Sequence, residues 1–188
     1  MRIGILGSGL MGGKLGTIFA RAGTPREAAQ ETDAVLLAVH WSRTEDLLNQ
    51  TGDLSGKLIL TCSLPMNEDS TELVVAHTSS GAEELAKMIP KARVVAAFQT
   101  VPSEVLFGVY EARRRARRPS LVYCGDDENS KGVAADLIRD SGFDPVDAGP
   151  LRIARYTEPF ALLVAQLAYE GEGGPELAYR FERFGERA

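Results

Sequence analysis

Residues 1–23, MRIGILGSGLMGGKLGTIFARAG, decide how the rest of the chain is read. Met1 to Leu6 predict a short buried strand. Gly7, Gly9 and Gly12 follow in the spacing G-x-G-x-x-G, and Leu10 to Ala22 predict a helix with Leu15, Ile18, Phe19 and Ala22 on one side. In a strand–turn–helix setting each glycine has a task. Gly7 permits the tight turn, Gly9 lets the backbone approach a pyrophosphate, and Gly12 lets the helix sit close to the strand. The bare amides at the helix start, on the positive end of its dipole, favour a phosphate there. A glycine turn kept only for packing is the plain alternative. So many glycines also break the apolar core that a secretory leader needs.

Further along, apolar runs recur with helical patterns between them. Strands are predicted at Arg2–Leu6, Ala34–Val39, Leu58–Cys62, Val94–Phe98, Leu121–Cys124 and Phe143–Val146. Several are solidly apolar instead of alternating, as parallel strands covered on both faces are. Crossover helices are predicted at Thr44–Gln50, Gly81–Ile89 and Asn129–Ser141. This alternation argues for an α/β fold, a Rossmann-like doubly wound parallel sheet. Gly149-Pro150 closes the pattern. The expected division is therefore an NAD(P)-binding domain over 1–150 and a C-terminal helical extension over 151–188. In the extension, Leu151–Glu170 predicts a long helix with Ile153, Tyr156, Phe160, Leu163, Val164 and Leu167 near helical spacing. Gly171 to Pro175 breaks it, and Glu176–Phe184 predicts a last helix.

Composition narrows the function classes. A chain of 188 residues supports one ordinary core and a small appendage. The net charge of -5 argues against nucleic acid as the main partner. No apolar run approaches the roughly 20 residues of a membrane span. Cys62 and Cys124 each end an apolar run without metal-type spacing, and read as reduced core thiols of a cytoplasmic protein. His40 and His77 form no local ligand pair, so no metal site is expected.

One element is missing. A dinucleotide fold leads from the glycine helix into a second strand, whose end carries the group for the adenosine ribose. Here Gly23 leads to Thr24-Pro25, a helix-start signal, and the next strand begins near Asp33. Asp33 stands at about the right distance from the glycines, but it opens its strand instead of closing it. The far end of that strand is Val39-His40-Trp41, without a carboxylate. The run Ala34–Val39 is therefore read as a later strand of the fold, with the usual second strand absent.

With these features assembled, the chain resembles the coenzyme F420-dependent NADP oxidoreductase family, whose dinucleotide domain is shared by the STEAP metalloreductases. The resemblance rests on GSGLMGGKLG, DAVLLAVHW, TCSLPMN, HTSSGAEELAKMIPKARVVAAFQTVPSEVL and YCGDDENSKGVAADLIRDSGFDPVDAGPLRIARYTEP. It implies hydride transfer between NADP(H) and a deazaflavin (coenzyme F420) or a flavin-like acceptor. Such a step needs two rings held in contact and no protein acid or base, so no catalytic side chain is assigned. By the same resemblance Gly7, Ser8, Gly9, Leu10, Met11 and Gly12 line the pyrophosphate. Val39, His40 and Trp41 lie where the nicotinamide half passes. Ser63, Leu64 and Pro65 close the nicotinamide pocket. Phe98, Gln99, Thr100, Val101 and Pro102 face the acceptor ring.

The departure from the family matters too. The piece that grips the 2′-phosphate has no counterpart, which leaves the choice of NADP over NAD open. Arg21 and Arg26 are the possible substitutes, or else members of a solvated helix face. Arg113, Arg114, Arg115, Arg117 and Arg118 read either as a solvated loop or as an anchor for anionic groups of the acceptor. Asp126 and Asp127 read as a helix cap, and His77 as part of the capping stretch before Gly81. The long C-terminal helix is too apolar to stand alone, and the resemblance implies that it packs against the dinucleotide domain and contributes to a homodimer. The alternatives to an F420-type reductase are a reductase of another small acceptor and a dinucleotide-binding protein without catalysis.

Overall fold

The computed structural model describes residues 2–19 and 24–185. Six strands form one sheet: β1 (Ile3–Leu6), β2 (Ala34–Leu37), β3 (Leu58–Thr61), β4 (Arg93–Ala96), β5 (Ser120–Gly125) and β6 (Asp144–Asp147). The helices are α1 (Leu10–Phe19), α2 (Pro25–Gln30), α3 (Thr44–Thr51), α4 (Gly81–Met88), α5 (Val105–Glu111), α6 (Glu128–Asp140) and α7 (Ala154–Tyr169). Single 3-10 turns, Trp41–Arg43 and Leu151–Ile153, lead into α3 and α7. No helix among the described residues is long and apolar enough to cross a membrane.

The strands lie in chain order across the sheet, β1 at one edge and β6 at the other. β1 to β4 pair in parallel. AVLL of β2 and LILT of β3 are buried throughout, as parallel strands covered on both faces must be. Two apolar layers cover them. One packs Leu15 of α1, Leu106 of α5 and Ile138 of α6 against Leu36, Leu60 and Val95. The other packs Ala28 and Ala29 of α2 and Leu85 of α4 against Val35, Leu37 and Ile59.

The helix starts follow their capping residues. Thr24 and Glu27 form a reciprocal capping box at α2, with Pro25 in the first turn. Ser80 caps α4 and Asp127 caps α6, accepting from Ser130 N at 2.8 Å. As expected, one short helix and no strand connects α1 to β2 among the described residues, and β1 is left as an edge.

Three expectations are corrected. First, β5 runs antiparallel to β4, with Ala96 opposite Cys124, so the sheet is only mostly parallel. A strand buried along its whole length looks the same in either direction, so the apolar pattern carried no sign. Second, residues 176–184 form no helix. They lie extended beside β5, where Ser120 N donates to Tyr179 O at 2.8 Å and Phe181 N to Ser120 Oγ at 3.0 Å. Tyr179 holds them there: its ring meets Phe160 edge-on at 5.0 Å, and its hydroxyl receives the Val122 N–H at 3.1 Å. Those tertiary partners outweigh helical propensity.

Third, the apolar residues spaced along α7 do not share one environment: Val164 is buried, whereas Tyr156, Leu163 and Leu167 face outward. Tyr156, Leu163 and Leu167 are 65%, 54% and 56% exposed, while Ala154, Glu158, Ala161, Val164 and Ala168 are buried. Small side chains let this helix lie close to its neighbours. The predicted helix to Ala22 is described as far as Phe19, and Arg21 lies outside the described residues.

Candidate functional site

The turns after β1, β2, β3 and β4 leave the sheet on one edge, because those strands are parallel and in register. Ligands of open α/β sheets bind outside such strand ends. At the first turn, Gly7 has φ of 117°, and a Cβ there would stand 2.1 Å from Ala38 O. A Cβ on Gly12 would stand 2.2 Å from Gly7 O, so the first turn of α1 lies directly against the β1 turn. Gly9 borders open space: a Cβ at this position would meet no heavy atom within 4 Å. The three glycines thus divide the work as the sequence suggests: two make the bend, and the middle one leaves room. That room, beside the free amides of α1, fits a pyrophosphate.

Beyond α1 lies a cavity of about 250 Å³. Leu10 and Met11 form one wall, and Cys62 and Leu64 a second. Phe98, Gln99, Val101, Pro102 and Ser103 come from the β4 turn. Ala161, Val164, Ala165 and Tyr169 of α7 close the far side. Phe98 takes the left-handed φ of 66° while 1% exposed. A bulky residue held in that region is a strained position kept by its surroundings; here it turns the chain from β4 into the cavity wall.

The titratable groups lining the cavity keep their protons. Burial pushes the Cys62 thiol up to about 12. Burial, with the Glu104 carboxylate beside it, lifts Tyr169 to about 12. Tyr169 donates to Glu104 Oε2 at 2.8 Å. Glu104 itself sits below the usual carboxylate range: burial works against ionisation, but hydrogen bonds from Tyr169, its own backbone and Ser103 prevail. Lys14 ties α1 to this corner by donating to Ser103 O at 3.0 Å.

Not every expected residue faces the cavity. Leu10, Met11, Leu64 and Phe98 do, with Gln99, Val101 and Pro102. Ser63 is buried, and its hydroxyl donates to Val39 O at 2.7 Å, so it braces the neighbouring turn. Thr100 is 1% exposed, and its hydroxyl is 2.6 Å from that of Tyr179. Pro65 is buried, against Gly81. His40 is exposed and caps the 3-10 turn, its Nδ1 accepting from Ser42 N at 3.4 Å. Trp41 is half-buried. These last two stand at the β2 turn, outside the cavity lining.

The other singled-out residues have local explanations. Asp33 receives Arg2 N at 2.7 Å, at the end of the sheet away from the turns. Asp126 receives Leu151 N at 2.9 Å. His77 has φ of 64° in the loop before Ser80. Arg26 is exposed. Arg113 stacks over Tyr110 at 4.0 Å. Arg115, Arg117 and Arg118 line a separate cleft of about 320 Å³, shared with Glu104 and Glu176. Sequence reasoning missed the α7 wall, Tyr169 and the buried Glu158. The signal for the wall was present as small residues at helical spacing, but larger side chains on the other face drew the reading.

Comparison with known proteins gives three results. The sequence model of the family described as NADP oxidoreductase, coenzyme F420-dependent, matches residues 20–65, from the end of α1 to the turn after β3. Metalloreductase STEAP3 of Rattus norvegicus is 29% identical over 136 residues, which is 72% of this chain and 26% of that protein. The chain spans about a quarter of the length of the curated relatives it matches. Among solved structures, a candidate F420-dependent NADP-reductase from Arthrobacter sp. FB24 superposes with a TM-score of 0.84 at 20% identity, covering 97% of this chain and all of that one. A reductive aminase from Aspergillus terreus, solved with NADPH and ethyl levulinate, superposes with a TM-score of 0.60 at 14% identity, covering 88% of this chain and 60% of that one. The family's model thus matches the part of the chain that holds DAVLLAVHW and the start of TCSLPMN, and the solved structures share the Rossmann-like fold.

Proposed function

We propose that this chain is an NADP(H)-dependent oxidoreductase that passes hydride between the nicotinamide and a flavin-like or deazaflavin acceptor. The observation that carries this is the juxtaposition of the open glycine turn with a largely apolar cavity behind it. The match to the F420-dependent NADP oxidoreductase family supports the dinucleotide and the reaction class. In this reading residues 1–150 carry the dinucleotide, and residues 151–188 add the far wall through α7.

When bound, the cofactor would give up a hydride as NADPH or take one up as NADP+. The protein orients and excludes water. The amides of α1 near Gly9, Leu10 and Met11 hold the pyrophosphate, with Ser8 beside them. Leu64 would border the nicotinamide, with Ser63 and Pro65 bracing its turn from behind, and Phe98, Gln99, Val101 and Pro102 would border the acceptor. Cys62 and Tyr169, held neutral chiefly by burial, would keep charge away from the place where the two rings meet. Holding two rings in contact supplies the rate by proximity alone, which is worth up to about 7–11 kcal/mol of barrier in well-oriented systems.

The exposed stripe Tyr156, Leu163 and Leu167 on α7 supports a homodimer, a second copy covering this face. A second reading, a dinucleotide-binding protein without catalysis, is favoured by one feature: β1 is a sheet edge, without the second strand that borders adenosine. Following NADPH oxidation at 340 nm with deazaflavin, flavin and quinone acceptors separates the two. Turnover with one of them supports the enzyme; tight NADPH binding with no turnover on any supports the binder.

A further inference from the structure

Behind the cavity wall stands a carboxylate that hydride transfer does not use. Glu158 of α7 is 0% exposed. Its oxygens accept Gly81 N at 2.8 Å and Ala82 N at 3.0 Å, the first amides of α4. The Gln99 amide donates to Ser63 O at 2.8 Å, and its place near Glu158 favours the ionised carboxylate. Gly81 presses on Pro65: a Cβ there would stand 2.9 Å from Pro65 Cδ. Through Gly81 the carboxylate therefore reaches the Pro65 end of the Ser63–Pro65 turn, and Gln99 holds the Ser63 end. A neighbouring pair strengthens the same contact, since Arg155 grips Glu83 of α4 with bonds of 2.8 and 2.7 Å.

Capping α4 alone does not require this arrangement. Ser80 already accepts the Glu83 N–H at 3.2 Å, as an ordinary N-cap does. A buried carboxylate costs free energy unless its partners hold it. Here the partners are the start of α4 and the side chain that braces the cavity wall, so the charge sits where it controls the site.

We propose that Glu158 is a positioning residue: its ionised carboxylate fixes Gln99 and the Ser63–Pro65 turn in the geometry that receives the nicotinamide, and its protonation releases them. The inference rests on the dinucleotide reading above. Burial lifts the Glu158 carboxyl to about 7, against the pull of the Ala82 and Gly81 hydrogen bonds and of Gln99 nearby. The charged and titratable groups facing it are Glu83, held ionised chiefly by the Arg155 guanidinium, and Cys124 of β5, whose thiol burial pushes to about 12. Neither changes charge between pH 6 and 8, so Glu158 is the group of this cluster that titrates there.

The test uses the full chain, wild type and Glu158→Gln, with NADPH affinity measured by calorimetry from pH 6 to pH 8. The ratio of the two affinities cancels whatever titrates alike in both proteins, the cofactor phosphate included. It should change by about fivefold or more across the range, the scale of ordinary site-to-site coupling, with a midpoint near the Glu158 value of about 7. In the ligand-free wild type, amide exchange at 63–65, Gly81 and Ala82, corrected for intrinsic rates, should quicken as the pH falls through that midpoint. This measurement stands even if the variant fails to fold. A constant ratio, or exchange at those amides that ignores pH, overturns the inference alone. No NADPH binding at any pH overturns the dinucleotide reading and this inference with it.

Discussion

Replacing Gly9 with alanine separates binding from folding at a single atom. A Cβ at this position meets no heavy atom within 4 Å, and Gly9 is not among the glycines with positive φ. The folded chain accommodates the methyl without strain. Because alanine restricts the unfolded chain more than glycine does, stability should hold or rise by about 0.4–1 kcal/mol. A pyrophosphate would not tolerate it. Its oxygens approach backbone amides to about 2.9 Å, whereas a carbon keeps an oxygen at about 3.3 Å or more. The phosphate must then withdraw and weaken charge-assisted bonds worth about 1.5–3 kcal/mol each. Losing the equivalent of one such bond lowers affinity by roughly ten- to a hundredfold. Thermal denaturation and NADPH calorimetry on the same preparation read both quantities. Gly12→Ala is the contrast: its Cβ would stand 2.2 Å from Gly7 O and 2.9 Å from Gly7 C, all backbone, so it should lose stability and affinity together. Unchanged NADPH affinity in Gly9→Ala would refute the reasoning, because the phosphate would then sit elsewhere.

Four further outcomes follow from particular contacts. Tyr179→Phe strips the partner from the Thr100 hydroxyl and the Val122 N–H, and should cost about 1–3 kcal/mol in urea unfolding; an unmoved midpoint contradicts the anchoring role. Ala165→Trp fills the cavity from α7 and leaves the glycine turn alone, so hydride transfer should fall about a hundredfold while NADPH affinity changes little; equal losses in both would relocate the acceptor. For Glu158 the folded value, about 7, lies above the ordinary 4.5. The folded state therefore binds the extra proton between those values, and stability rises as pH falls across them. The slope is about 1.4 kcal/mol per pH unit, about 3 kcal/mol in all, and it should vanish from the Glu158→Gln unfolding profile. Replacing Leu163 and Leu167 together with Glu should leave a folded monomer by light scattering, and a wild type that is already monomeric removes the dimer.

Much of the site was legible because it depends on local rules. The glycine spacing, the apolar strands and the capping residues Thr24, Ser80 and Asp127 each act within a few residues, so sequence carries them directly. The missing second strand was legible for the same reason: Thr24-Pro25 starts a helix where a strand was due. What escaped depends on distant partners. Nothing near Tyr179 in sequence announces Thr100 or Phe160, which hold residues 176–184 extended. The direction of β5 is set by where α5 and the loop to Pro119 deliver the chain, not by its own residues. Nothing near Glu158 in sequence announces its burial, because the amides it receives lie 76 and 77 residues away. Ser63 and Thr100 were singled out as ligand contacts, yet their hydroxyls are engaged by Val39 O and Tyr179.

The central claim is that a dinucleotide sits with its diphosphate on the α1 amides and its nicotinamide against Leu64, at the mouth of the cavity that Phe98 and α7 wall off for the acceptor. A crystal structure of the chain soaked with NADPH tests it most directly. The account predicts phosphate oxygens within hydrogen-bond distance of the amides at Gly9 to Met11, and the nicotinamide against Leu64. Density for the nucleotide anywhere else, or a glycine turn that stays free at saturating NADPH, would contradict it.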